Sequence, residues 1–196
     1  MKAVVFVDVQ KDFIDGALRN EKAIEVTPKI VEFAKECVEK GYKLYATRDT
    51  HEATKWTEKN CAQVVAGYLA TLEGRKLPVE HCIECTDGWM IDNRLMEVLD
   101  GKCTFVNKPT FGSFDLAEII AEDFENEDID EIILCGFVSS ICVISNALLL
   151  RAKFPNKNVT IYDNLCADLD DNGHNSAMTV AHNCQIDIKS YTQKSN

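Results

Sequence analysis

Four features are missing from this 196-residue chain, and each absence closes a class of explanation. There is no basic surplus. Lys plus Arg number 21 against 32 Asp plus Glu, a formal charge of −11, which argues against a nucleic-acid backbone or an anionic membrane as partner, since both attract basic patches. No export signal is expected, because MKAVVFVDVQ puts Asp8 where a signal peptide needs its apolar centre. The expected compartment is therefore the cytoplasm. There is no regular cysteine spacing. Nine cysteines, an odd number, in a reducing compartment are expected as buried, catalytic or metal-bound thiols rather than disulfides. Finally, there is no clean membrane span. Ile132–Leu150 is uncharged for 19 residues but is broken by Gly136, Ser139, Ser140, Ser145 and Asn146. It reads better as a buried strand followed by a buried helix. Repeats and low-complexity segments are absent too.

What remains is an ordinary globular mixture, 46% hydrophobic and 27% charged, of a length that suits one domain over 1–196. Apolar runs mark candidate strands at Ala3–Val7, Lys43–Thr47, Thr104–Asn107, Glu131–Cys135, Asn158–Tyr162 and Gln185–Lys189. Several are apolar at consecutive positions, as in central strands covered on both faces. Helical spacing recurs between them at Ala23–Lys40, Trp89–Leu99, Leu116–Phe124, Ser140–Ala152 and Gly173–Asn183. The alternation predicts an α/β fold of three αβα layers: an open, mostly parallel six-stranded sheet, Rossmann-like, with helices on both faces. The stretch from 52 to 78 fits no strand and reads as a helical or irregular excursion over the mouth of a site.

Open parallel sheets bind ligands outside the carboxyl ends of their strands. Asp8 closes the first run in VDVQKDF, Asp49 and His51 the second in TRDTH, and Lys108 the third in NKPTFGSF. GFVSSIC then brings Cys142 into the first turn of an apolar helix. A thiol, an ammonium and a carboxylate at one edge suit nucleophilic catalysis. The cation and the helix start favour the thiolate, and the acid takes the thiol proton and returns it to a leaving amine. Phe13, Phe111 and Phe114 could supply faces for a planar ring.

The same residues carry a resemblance to the isochorismatase-like cysteine hydrolases, and within them the nicotinamidases. It runs from FVDVQKDF at 6–13 to DNGHNSAMTVAHNC at 171–184. It includes Asp8, Gln10, Asp12 and Phe13 as D-x-Q-x-D-F, and Arg48, Asp49 and His51 as R-D-x-H. LPVEHCIECTDGW at 77–89 also matches, as does the G-x-V-x-x-x-C-V of Gly136, Val138, Cys142 and Val143. The resemblance implies Asp8, Lys108 and Cys142 as catalytic triad and a substrate pocket using Phe13, Val138 and Ser139. It further implies a cis peptide between Val138 and Ser139, an oxyanion hole of amides near Cys142, and self-association as a homo-oligomer. Two departures stand out: Cys85 occupies a position where the family usually has Gly, and the excursion after His51 is long.

Asp49 and His51 form a D-x-H pair, and His81 follows in LPVEHC. Such donors suit a divalent ion, zinc, iron or manganese. The resemblance implies Asp49, His51 and His81 as ligands, with Glu73 a fourth candidate. The ion would hold a pyridine nitrogen and orient the amide towards Cys142. Cys82 and Cys85 form a C-x-x-C without a second pair and are expected to be packing residues, and His174 and His182 are expected to be structural. The expected activity is hydrolysis of a small-molecule amide, nicotinamide to nicotinate and ammonia through a thioester. The alternatives are another hydrolase of the superfamily, acting on a different amide, an N-carbamoyl compound or a vinyl ether, and a non-catalytic scaffold.

Overall fold

Six apolar runs pair edge to edge in a computed structural model that describes residues 1–57, 60–125 and 129–193. The elements run β1 (Lys2–Val7), α1 (Lys11–Ile14), α2 (Glu21–Glu39), β2 (Lys43–Asp49), β3 (Lys55–Thr57) and β4 (Asn60–Ala66). A 3₁₀ turn (Tyr68–Ala70), α3 (Leu72–Lys76), α4 (Asn93–Leu99), β5 (Cys103–Lys108), α5 (Phe114–Asp123) and β6 (Glu131–Phe137) follow. A π-helical turn (Ser139–Val143), α6 (Ile144–Lys153), β7 (Asn158–Ala167), α7 (Asp171–Asn183) and β8 (Asp187–Lys189) complete the order. The main sheet is β5-β2-β1-β6-β7-β8, with every pairing parallel. Among the described residues no helix is long and apolar enough to cross a membrane.

Burial explains why the runs behave as strands. Ala3, Val4, Val5, Phe6 and Val7 are all fully buried, and all seven residues of β6 are buried. Each large aliphatic side chain removed from water contributes about 1.5–3 kcal/mol. β6 also presses unusually close to β1. A Cβ on Gly136 (φ +123°) would stand 2.1 Å from Val7 O, so only glycine fits.

The topology places the site. From β1 the chain steps one way, through β2 to β5, then returns to the other side of β1 and steps through β6, β7 and β8. Right-handed crossovers therefore put α2 and α4, which touch, on one face, and α5, α6 and α7, which touch in sequence, on the other. The reversal falls between β1 and β6. The crevice beyond their carboxyl ends is the place where open α/β sheets bind ligands.

Element ends shift by a few residues from the sequence reading, and four differences matter for the architecture. α4 begins at Asn93, not Trp89, because Asp92 caps it, while Ile91 bridges to Gln10 and Trp89 Nε1 donates to Thr50. β8 begins at Asp187, after Gln185 turns at φ +60°. β7 continues past Tyr162 to Ala167 through an irregularity opposite Leu134–Gly136, which the polar Asp163 and Asn164 concealed. The 52–78 excursion does contain strands. β3 and β4 form a two-stranded antiparallel ladder with register shifts, too short and irregular to imprint an alternating pattern. Residues 58–59 of that stretch lie outside the described residues.

Candidate active site

Asp8 leaves β1 with φ +49°, a conformation a non-glycine residue rarely adopts. Thr47 on β2 grips it twice: Asp8 N donates to Thr47 Oγ1 at 3.1 Å, and Thr47 Oγ1 donates to Asp8 Oδ1 at 2.6 Å. The free Oδ2 faces Lys108 Nζ at 2.7 Å without a well-aligned hydrogen bond. Lys108, at the end of β5, also reaches Asp49 Oδ1 at 3.4 Å, Thr110 O at 3.1 Å and Cys142 Sγ at 3.5 Å. Asp8, Lys108 and Cys142 are thus brought together, and all three are buried.

Burial changes the charge state that sequence alone suggests. Loss of water, then the Asp8 charge, push the Cys142 thiol well up, and Lys108 only partly opposes them. Burial thus works against the thiolate that the neighbouring cation favours. Burial also works against the Lys108 charge, but Asp8, Cys142 and Asp49 outweigh it and hold the lysine protonated. Asp8 is raised, chiefly by its own burial, which makes it a better proton acceptor than a solvated aspartate. Nor does Cys142 begin a regular helix. It lies in the π-helical turn before α6, where Ile141 N and Val143 N both donate to Val138 O and Ser140 N donates to Asp168.

A second cluster adjoins the first. One donor atom each from Asp49, His51, Glu73 and His81 lies within 4.8 Å of all the others. His51 Nε2 and His81 Nε2 face Asp49 Oδ2 at 2.9 and 3.3 Å, and each is 3.7 Å from Glu73 Oε1. His81 Nδ1 is held by Val79 O at 2.8 Å, which turns the Nε2 lone pair inward. Burial works against the Asp49 charge, but the two imidazoles and Lys108 overcome it and hold the carboxyl well below its usual range. Glu73 is raised, first by burial and then by Asp49. Two enclosed carboxylates and two imidazoles converging on one point fit a divalent cation of the zinc, iron or manganese type. Tyr68 roofs the cluster, its ring 4.8 Å from His51 and 5.0 Å from His81.

Between the clusters lies a cavity of about 110 Å³, lined by Phe13, Leu18, Asn20, Asp49, Glu73, Leu77, His81, Phe111, Val138, Ile141, Cys142 and Leu169. It is small beside the ~300–1,000 Å³ of drug-sized pockets. Phe13 meets His81 edge-on at 5.7 Å. Val138 lines the cavity, and the cis peptide precedes it, at Phe137–Val138, not at Val138–Ser139. Ser139 does not reach the cavity. It is fully buried, its hydroxyl donating to Ala167 O at 3.0 Å and 2.9 Å from His174 Nδ1, because the π turn rotates it toward β7. Phe114 is 75% exposed and lies outside the lining. Cys82 is buried, but Cys85 is exposed at φ +65°. It is no packing residue; it occupies a left-handed turn that favours glycine.

Gln10 and Asp12 hold the site together, a role sequence reading did not assign. Gln10 Oε1 accepts from Asp49 N, and its Nε2 donates to Asp49 O and Trp89 O. Asp12 Oδ2 accepts from Cys82 N, fixing the loop that carries His81. The D-x-Q-x-D-F motif directly after β1 was the available signal, since it places polar side chains at a strand's carboxyl end.

A family model for the isochorismatase domain matches residues 2–190. The chain belongs to the isochorismatase family. As a hydrolase of that superfamily it has many solved structural neighbours. A nicotinamidase from Bacillus subtilis superposes with TM-score 0.78 at 22% identity, covering 96% of this chain and 99% of the other. The pyrazinamidase of Pyrococcus horikoshii in complex with zinc gives 0.74 at 21%, with 97% and 99% covered. An N-carbamoylsarcosine amidase from Thermoplasma acidophilum gives 0.74 at 17%, with 100% and 99% covered. At such identities these likenesses concern the isochorismatase fold alone. A search of curated proteins by sequence found no match.

Proposed function

We propose that this isochorismatase-family protein is a cysteine amidohydrolase for small, planar, uncharged amides, with nicotinamide the leading candidate. The observation that carries the reading is one small cavity lined by both Cys142, 3.5 Å from Lys108, and members of the Asp49–His51–Glu73–His81 cluster. Cys142 Sγ attacks the amide carbonyl carbon as its proton passes to Asp8 Oδ2. The carbon–nitrogen bond then breaks, Asp8 returns the proton to the departing amine, and a thioester remains. Water, deprotonated by Asp8, attacks the thioester, and the sulfur leaves with that proton as the acid is released. Lys108 stabilises negative charge at both steps. Backbone amides near Cys142 are the donors assigned to the oxyanion. Asp49, His51, Glu73 and His81 would hold a divalent ion, which would supply Lewis-acid chemistry beside the cavity when bound.

The nearest alternative is an amidase for N-carbamoyl amino acids, whose substrates carry a carboxylate. The lining weighs against it: its carboxyl side chains are Asp49 and Glu73, and among the described residues it includes no lysine or arginine to pair with an anion. Ammonia release from nicotinamide, an N-carbamoyl amino acid and an aliphatic amide distinguishes these readings. The parent protein should turn over nicotinamide fastest, and Cys142→Ala should reduce the rate by about 10³-fold or more. Full activity in Cys142→Ala would remove the nucleophile, and a preference for the anionic substrate would remove the substrate class.

A further inference from the structure

The segment after β7 touches the nucleophile turn, though nothing in the hydrolytic scheme assigns it a part. Asp168 is buried, and donors of that turn fill its carboxylate: Ser140 N reaches Oδ2 at 2.6 Å and Ser140 Oγ reaches Oδ1 at 3.1 Å. The amide of Leu169, which lines the cavity, donates to Oδ1 at 2.8 Å, and Asn20 Nδ2, also of the lining, donates to Asp168 O at 3.0 Å. One residue earlier, Ala167 O accepts from Ser139 Oγ. The side chains of both serines preceding Cys142 are therefore tied to the end of β7 and the residue after it.

The turn needs such a tie. Amides at a helix start have no intrahelical acceptor, and here Ile141 N and Val143 N already share Val138 O. A carboxylate accepting from the Ser140 amide makes a charge-assisted bond, in effect a helix cap supplied from the segment after β7, 28 residues away. α7 leaves room for it. A Cβ on Gly173 would lie 2.6 Å from Asp168 Oδ1 and 3.3 Å from Ser140 Oγ.

We infer that Asp168 is a positioning residue: it clamps Ser140 so that the thiol of Cys142 is presented to the substrate. The inference rests on the hydrolase reading but is tested separately from it. Asp168→Ala, Asp168→Asn and Gly173→Ala are compared with the parent for kcat and KM on nicotinamide. The rate of Cys142 alkylation by iodoacetamide, followed by peptide mass spectrometry, and the melting temperature are measured alongside. Asp168→Ala should lower kcat by about 100-fold, the cost of a small misplacement of a reacting group, with KM within about threefold and alkylation slowed in parallel. Asp168→Asn keeps one acceptor oxygen and should fall between Ala and parent. Gly173→Ala sets the gain of a better helix former against the displaced Asp168 bonds, so it should stay folded with a modest change in melting temperature, yet lose about tenfold in kcat as the carboxylate is displaced. Parental kcat and alkylation in both Gly173→Ala and Asp168→Asn would overturn the clamp, even if Asp168→Ala fails to fold. If the parent hydrolyses no amide, the alkylation rates alone decide it.

Discussion

Replacing Lys108 by methionine should destabilise the protein more than it disturbs its packing. Methionine fills a similar volume, so little cavity forms. What is lost is the ammonium 2.7 Å from Asp8 and 3.4 Å from Asp49, with those carboxylates 0% and 3% exposed. Removing one partner of a buried ion pair costs about 3–5 kcal/mol because the other charge stays desolvated. For a chain of this length, about 2–4 °C per kcal/mol converts that to a fall in melting temperature of roughly 6–20 °C. Urea unfolding checks it, with the midpoint shifted and the slope unchanged. The double variant Asp8→Asn/Lys108→Met should recover part of the loss, since the main unpaired charge is gone, and the cycle isolates the coupling. A cost below about 1 kcal/mol for Lys108→Met would mean the two acids are hydrated, and the raised Cys142 thiol would lose its explanation.

The floor of the sheet gives a pH prediction. Glu131 accepts from Lys2, Lys189 and Thr160. Burial tends to raise its pKa, but these three partners bring it down to about 2. Its stabilisation is then complete above the unfolded-state value and is lost as pH falls toward 2. The lysines are partly exposed, so the contribution is about 1–3 kcal/mol after screening. Glu131→Gln should flatten stability against pH between about 5 and 2, and an undiminished slope would refute the assignment. Gln10→Ala frees the Asp49 backbone and should weaken zinc binding about 10- to 100-fold, measured by chelator competition; unchanged affinity would show that Asp49 needs no such support.

Some of this could be read directly from the residues. Consecutive β-branched and aliphatic runs, as in Val4–Val7 and Ile132–Leu134, suit strands covered on both faces, and all six appear where their apolar cores lie. Polar residues interrupting such runs at strand ends marked Asp8, Asp49 and Lys108. Other features left little trace. The β3–β4 ladder has too few residues to show a period, and the extension of β7 is hidden by Asp163 and Asn164. Ser139 was expected at the substrate from the family resemblance, yet the π turn directs its side chain away from the cavity that Val138 lines. Cys85 stands in a left-handed turn that its residue type does not announce.

Local sequence therefore determined the layered α/β architecture and which chemical groups would stand at its rim, because side-chain period and apolar content act over a few residues at a time. Only the tertiary structure decided the desolvation of Cys142, the convergence of Glu73 with Asp49, His51 and His81, and the hold of Asp168 on the nucleophile turn. Those properties depend on desolvation and on contacts between segments far apart in the chain, and both come into being only when the sheet brings the segments together.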